Sequence, residues 1–434
     1  MSREMIGLIS VIVLFVLLFA RLPVAFVMLV LGMAGIWYIK GPSAMFLSTG
    51  VTVYETLASY MLVVVPLFTW MGYIGFHSGI SSHLYEAAYK LVGGLKGGLM
   101  MATSMACAAF GAICGSTTAT SATFAALALP EMKKRGYNPS LATACVAASG
   151  ILGVLIPPSI IFIVYASLTG ESVPKLFIAG IGPGLLLMAL YMAATYLVVM
   201  RHPELAPPGP KFPWKARMKA LATGGIEVLI IFAACIGGLL ARKFTAVEAA
   251  SVGCTATLVV ALARRSFGWR AFLNSLKDTI RTSTMVMFLV AAANVFGLFL
   301  GLTQLPTIMS DWVVALPLPP YAVLIGILLI LLVLGCFIDA LAMILLTIPI
   351  FYPAALALGF NGIWFGVIMT LALGMGVLTP PVGANVYVVY AVDKETPIMA
   401  IFKGAWPYLV ALWVCAILLL VLPQIATFLP GLMG

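Results

Sequence analysis

Residues 153–158 read Gly-Val-Leu-Ile-Pro-Pro, and residues 376–381 read Gly-Val-Leu-Thr-Pro-Pro. The offset between the copies, 376 against 153, is 223 positions, and it holds beyond the diprolines. Pro130 aligns with Pro353, Gly136 with Gly359 and Asn138 with Asn361; one residue of slippage later, Gly180 and Pro183 align with Gly404 and Pro407. Tyr165-Ala166 aligns with Tyr390-Ala391, which implies a small insertion in the second copy. Helix-breaking prolines at equivalent places in the two halves of an apolar chain mark the binding site of a secondary transporter.

Composition sets the class. Hydrophobic residues make up 63% of the 434 and charged residues 8%, against about a quarter charged in globular domains. The apolar runs 5–20, 22–39, 224–241 and 404–422 are each long enough to span a bilayer or nearly so. An all-α polytopic membrane protein embedded in a lipid bilayer is expected. The first run has no basic segment of any size before it and no small-x-small cleavage site, so it reads as a membrane helix rather than a signal peptide. The net charge of +10 comes from basic residues in short loops, the pattern of membrane topology and not of nucleic-acid binding. The seven cysteines contain no Cys-x-x-Cys pair and read as small core residues. Three histidines form no His-Glu-x-x-His pattern, and no Walker loop is present. Neither an enzyme nor an organic cofactor is expected.

Both halves show one series of segments. The first repeat covers 1–200, with spans near 5–20, 22–39 and 59–77, an interfacial amphipathic stretch near 80–95, and a last span at 176–200. A Pro-rich cytoplasmic linker at 201–223 leads to the second repeat, 224–434, with spans near 224–241, 245–263, 282–300 and 400–422 and an arm at 303–318. The stretch 98–131 is too long for one crossing, too short for two, and polar in its middle. Irregular backbone survives at membrane depth only inside protein or beside a cavity, so a re-entrant hairpin with its tip near 114–119 is expected. Its partner is 321–354, with the tip near Gly335 to Asp339. A helix broken at the diproline follows each hairpin, over 139–169 and 362–391.

Such hairpins leave five full crossings per half, an odd number, so the second repeat inserts upside down. With both termini outside, the inner side receives 18 of the 23 lysines and arginines, Arg21, Lys133, Arg201 and Arg281 among them, and the outer side 5. The positive-inside rule favours that orientation.

Pro157, Pro158, Pro380 and Pro381 each lack an N–H, which releases the carbonyls of Gly153, Val154, Gly376 and Val377. Freed carbonyls at a helix break are cation ligands in transporters of this build; the plainer alternative is a kink relieved by a neighbouring hydroxyl. The hydroxyls and backbone N–H groups of Ser116, Thr117, Thr118, Thr120 and Ser121 begin a half-helix and suit an anionic substrate group, against the alternative of helix packing. Asp339, aligned with Ser116 inside an apolar stretch, is a candidate for cation or substrate binding, or else a cap. Asn385 is a candidate for a substrate hydrogen bond, whereas Glu248 reads as structural.

Gly-Ser-Thr-Thr-Ala-Thr-Ser-Ala-Thr (115–123), Pro-Glu-Met-Lys-Lys-Arg-Gly-Tyr (130–137), Gly-Val-Leu-Ile-Pro-Pro-Ser (153–159) and Gly-Val-Leu-Thr-Pro-Pro-Val-Gly (376–383) resemble the large membrane subunit of TRAP transporters. These are the tripartite ATP-independent periplasmic transporters of bacteria and archaea. The resemblance covers essentially the whole chain, with one departure at Phe244-Thr-Ala-Val-Glu248-Ala. It implies an elevator-type ion-transporter-like fold and sodium-driven uptake of a small organic acid across the bacterial inner membrane. It also implies two partners: a periplasmic substrate-binding protein and a small four-helix membrane subunit. By motif position, one sodium site would involve Gly111, Cys114, Gly115 and Ser116 with Gly153, Ile156 and Pro158. The other would involve Gly335, Gly376, Thr379 and Val382. The alternatives are a passive channel and a proton-coupled anion carrier on the same repeats.

Overall fold

The computed structural model describes residues 2–20 and 22–433, and these are helical with no strand among them. Arg21, assigned above to the inner side, lies outside the described residues. Among the described residues seven helices are long and apolar enough to cross a membrane, or up to eight when Pro139–Leu155 and Ile160–Thr169 are joined as one span bent by 43°. The protein is a multi-pass membrane protein built from two inverted repeats.

The residues that repeat in sequence repeat in structural role. Asn138 and Asn361 both cap a helix: Asn138 Oδ1 accepts from the Leu141 N–H at 3.2 Å, and Asn361 Oδ1 accepts from the Ile363 and Trp364 N–H groups at 3.0 Å. Ser116 and Asp339 likewise cap the second arms of the two hairpins, Thr117–Lys134 and Ala340–Ala357. Gly136 and Gly359, at φ of +73° and +85°, end those arms in the left-handed region that glycine tolerates. In an apolar setting helix ends have no water to fall back on, so the few polar residues are placed on them. Glu248 fits this pattern, forming a capping box with Thr245 at the start of Ala246–Ala263.

The repeats interlock by reciprocal contacts. Val24–Lys40 packs on Trp269–Thr303, and its counterpart Ala246–Ala263 packs on Val64–His77. These four helices form a scaffold that crosses closely; a Cβ on Gly32 would come within 3.0 Å of the Phe296 backbone nitrogen. In the remaining group, each half of one broken helix touches the other repeat. Ile160–Thr169 packs on the second hairpin arm Ala340–Ala357, and Ala384–Val392 packs on the first hairpin arm Thr117–Lys134.

Three segments differ from the sequence reading. Pro42–Leu57 is a helix in the stretch between the expected spans 22–39 and 59–77, to which no element was assigned; it starts after Gly41 (φ +86°) with Pro42 in its first turn and exposes Phe46, Leu47 and Tyr54. Trp269–Thr303 runs unbroken for 35 residues where only 282–300 was expected. Its first four turns carry Arg270, Lys277, Asp278 and Arg281, so helical periodicity continues where hydropathy fails. The linker is helical from Trp214 onward.

Candidate functional site

The tip of the first hairpin rests on the break of the first broken helix. Helix Gly98–Cys114 ends at Gly115, whose φ is +66° and whose added Cβ would lie 2.6 Å from the Pro158 carbonyl oxygen, so only glycine fits. The Gly115 carbonyl accepts from the Ile160 N–H at 3.3 Å. One turn back, a Cβ on Gly111 would come within 2.9 Å of Gly153 Cα. Ser116 then opens the second arm, accepting from the Ala119 N–H at 3.4 Å and hydrogen bonding the Thr118 hydroxyl at 3.1 Å.

This contact gathers oxygen. Among the described residues no backbone N–H is directed at the Gly153 or Val154 carbonyl, as the prolines four residues on dictate. The Ser116 carbonyl and Thr120 Oγ1 crowd Gly153, while the Thr117 carbonyl and Ser121 Oγ crowd Gly150. Thr120 and Ser121 are fully buried. Ser121 Oγ has no hydrogen-bond partner, and Thr120 Oγ1 has the Cys114 thiol beside it but no hydrogen bond of good geometry. A buried polar group left unpaired costs about 1–3 kcal/mol, so this knot of acceptors has capacity for a cation stripped of water.

Of the first set expected to hold sodium, Gly111, Gly115, Ser116, Gly153 and Pro158 meet here. Cys114 lies beside Thr120 and against Gly72 of the scaffold, and the Ile156 side chain packs the other way, on Gly184. The sequence reading left Thr120 and Ser121 out of that set. Their signal was their spacing, four residues beyond Ser116 and Thr117, which returns them to one helical face.

At the second crossing Gly376 abuts Gly335, where a Cβ on Gly376 would lie 2.5 Å from Gly335 Cα. The Cys336 carbonyl accepts from the Val382 N–H at 3.3 Å. The expected release of carbonyls is not realised here. Gly376 O accepts from the Thr379 N–H at 3.1 Å, and Val377 O accepts from the Asn385 N–H at 3.1 Å. The turn at Gly383 (φ +59°) folds the chain back and delivers that second donor. Thr379 hydrogen bonds the Met375 carbonyl through its hydroxyl at 2.7 Å. Pro380, Pro381 and Val382 are exposed, whereas Pro157 and Pro158 are buried.

Asp339 stands exposed at the second tip, where its carboxylate accepts from the Leu341 N–H at 3.1 Å. Asn385 is fully buried; its Nδ2 donates to the Ala147 carbonyl at 3.1 Å and ties the two broken helices, while Oδ1 is unpaired.

A cavity of about 410 Å³ opens in front of the first tip. The hairpin contributes Ser116, Thr118 and Thr123 to its wall, and the scaffold contributes Thr69, Tyr73 and Thr282. Tyr73 and Thr282 share a hydrogen bond of 2.8 Å. Thr117 is buried outside this lining. The helix Thr117–Lys134 begins at the cavity, and its free N–H groups favour an anion there. The scaffold hydroxyls were invisible to motif reading because nothing in the local sequence places that helix against the tip.

Comparison with known proteins agrees in family and fold. Residues 11–425 match the family model of the tripartite ATP-independent periplasmic transporter, DctM component. The chain is 36% identical over 393 residues to the C4-dicarboxylate TRAP transporter large permease protein DctM of Pseudomonas aeruginosa, covering 89% of this chain and 90% of the relative. It is 31% identical over 419 residues to the sialic acid TRAP transporter large permease protein SiaM of Vibrio cholerae, covering 96% of each. Its fold is similar to the crystal structure of the YdaH transporter of Alcanivorax borkumensis, with a TM-score of 0.64 at 16% identity over 89% of each chain. The chain therefore belongs to the DctM component of the tripartite ATP-independent periplasmic transporters, a family of transporter permease subunits and not of enzymes.

Proposed function

We propose that this chain is the large permease subunit of a sodium-coupled uptake system for a small organic acid, working by an elevator movement in the bacterial inner membrane. Both termini then face the periplasm. A periplasmic binding protein delivers the acid, and a small four-helix subunit completes the membrane part. The observation that carries sodium coupling is the first crossing, where two buried hydroxyls without good partners, Thr120 and Ser121, stand beside the open carbonyls of Gly153 and Val154. The acid is supported by the helix start and hydroxyls at the cavity, and by the dicarboxylate and sialic acid named for two relatives. The elevator is supported by the division into a four-helix scaffold and an interlocked group of hairpins and broken helices.

The test is thermal unfolding of the purified membrane subunits in sodium chloride against choline chloride. Sodium raises the melting temperature of the wild type, and Thr120→Val or Ser121→Ala removes most of that rise. A wild-type protein indifferent to sodium sinks the coupled reading and brings forward a proton-driven carrier or a passive channel.

A further inference from the structure

The cavity wall at the first tip carries hydroxyls and no charged side chain, yet the proposed substrate carries a carboxylate. A cationic group stands at its rim. We infer that Arg281, on the scaffold helix Trp269–Thr303, is the counter-charge that receives the substrate carboxylate at the cytoplasmic mouth of the cavity, and does so only while the cavity faces inward. This rests on the organic-acid reading above.

Position is the first argument. Arg281 adjoins Thr282 and precedes Met285 by four residues, and both of those line the cavity. Residues four apart share a helix face, so Arg281 continues that face one turn toward the cytoplasm. It also lies within electrostatic reach of Tyr73, which is in the wall.

Availability is the second. Arg281 is exposed and makes no ion pair or hydrogen bond among the described residues. The acidic group nearest in sequence, Asp278, is engaged by His77 at 2.9 Å. Val64–His77 offers no other charge, and neither does the hairpin tip 115–123 nor Ala384–Val392. Lys277, one turn further out on the same face, extends the positive strip. An arginine fork with no protein partner suits bidentate capture of a carboxylate.

Asymmetry is the third. The hydroxyls of the tip belong to the interlocked, mobile group, but Arg281 belongs to the scaffold. In an elevator the cavity leaves Arg281 behind when it turns outward. The arginine then assists binding on the inner face alone, where it draws the anion off the binding site toward the cytoplasm by its field.

The experiment uses the permease with its small subunit, purified in sodium, with succinate and sialic acid as probes. Direct binding is read by calorimetry. External half-saturation is read separately, as uptake into proteoliposomes supplied with the binding protein. Arg281→Gln weakens direct binding of whichever probe the wild type takes by about tenfold, the scale of one charge-assisted pair. Arg281→Lys restores most of it, and the sodium-induced rise in melting temperature is unchanged in both. External half-saturation in uptake stays at the wild-type value. Unaltered direct binding by Arg281→Gln overturns the inference, as does an equal loss on both faces, which marks a merely structural role. A wild type that takes up neither acid despite binding sodium overturns the organic-acid reading itself, and the inference with it.

Discussion

The two glycine crossings are built from the same words and do different things. At the first, Gly111 meets Gly153 beneath a tip closed by one left-handed residue, Gly115, and the prolines with Thr120 and Ser121 are buried. At the second, Gly335 meets Gly376 beneath a longer tip of Cys336, Phe337 and Ile338, and the prolines are exposed. The first leaves two carbonyls open; the second fills the equivalent pair with the N–H groups of Thr379 and Asn385. A repeated motif thus fixes where a helix breaks, while the neighbours decide whether the break has spare acceptors. Here the first crossing keeps spare acceptors, which is why the proposed cation site is placed there, and the second is a closed backbone turn whose outer surface remains accessible.

The sharpest way to break this comparison is with methyl groups. Gly376→Ala places a Cβ against Gly335 Cα at 2.5 Å and its carbonyl carbon at 2.7 Å, with only backbone in the way. Overpacking of this kind costs about 1–3 kcal/mol or more, so loss of transport together with a lower melting temperature is expected. Gly153→Ala meets Thr120 Oγ1 at 2.5 Å, which can rotate, and the Ser116 carbonyl at 2.8 Å. It is expected to unfold less readily than Gly376→Ala yet to lose the sodium response entirely. The reverse order in paired melting and sodium titrations would show that the second crossing is the cation site.

A second prediction separates the two tips. Asp339 holds a cap that asparagine also makes, so Asp339→Asn keeps stability while Asp339→Ala loses about 1 kcal/mol. If uptake falls only in Asp339→Ala, the second tip is structural; a collapse of uptake in Asp339→Asn at wild-type melting temperature gives its charge a role in transport.

The smallest effect concerns what binds the two crossings into one body. Lys133, at the end of the first hairpin, reaches Asp393 at 2.6 Å in the loop after the second broken helix. Burial works against the charge of Asp393, but the Lys133 ammonium and the Thr396 hydroxyl hold its carboxyl below the usual 3.8. A lowered carboxyl value means that this link stabilises the fold above the ordinary aspartate range and is lost as pH falls through the lowered value. Asp393→Asn is expected to cost about 0.5–1 kcal/mol at neutral pH and nothing further at pH below that value. Melting curves from neutral to acid pH check this; parallel curves for wild type and variant would remove Asp393 from the coupling.

Much of this was legible in the chain. Pro130, Gly136, Asn138 and the diproline align with Pro353, Gly359, Asn361 and the second diproline because proline, left-handed glycine and an asparagine cap each act on the backbone within a few residues. Local rules of that kind survive in any tertiary setting. The helix Pro42–Leu57 and the first turns of Trp269–Thr303 were missed because hydropathy reports lipid exposure, and those segments are polar or amphipathic while remaining helical.

The sequence by itself determined that the chain spans a membrane, that it is two inverted copies, and that each copy has a hairpin and a broken helix. Proline lacks a donor, glycine permits close approach, and charge follows topology wherever they occur. Only the tertiary structure decided that Ser121 and Thr120 turn toward Gly150 and Gly153, that Asn385 reaches Ala147 instead of the cavity, and that Tyr73 and Thr282 close its far wall. Those outcomes depend on which elements of one repeat pack on the other, across separations of up to more than two hundred residues, and no local propensity encodes which of two similar helices will supply the neighbour.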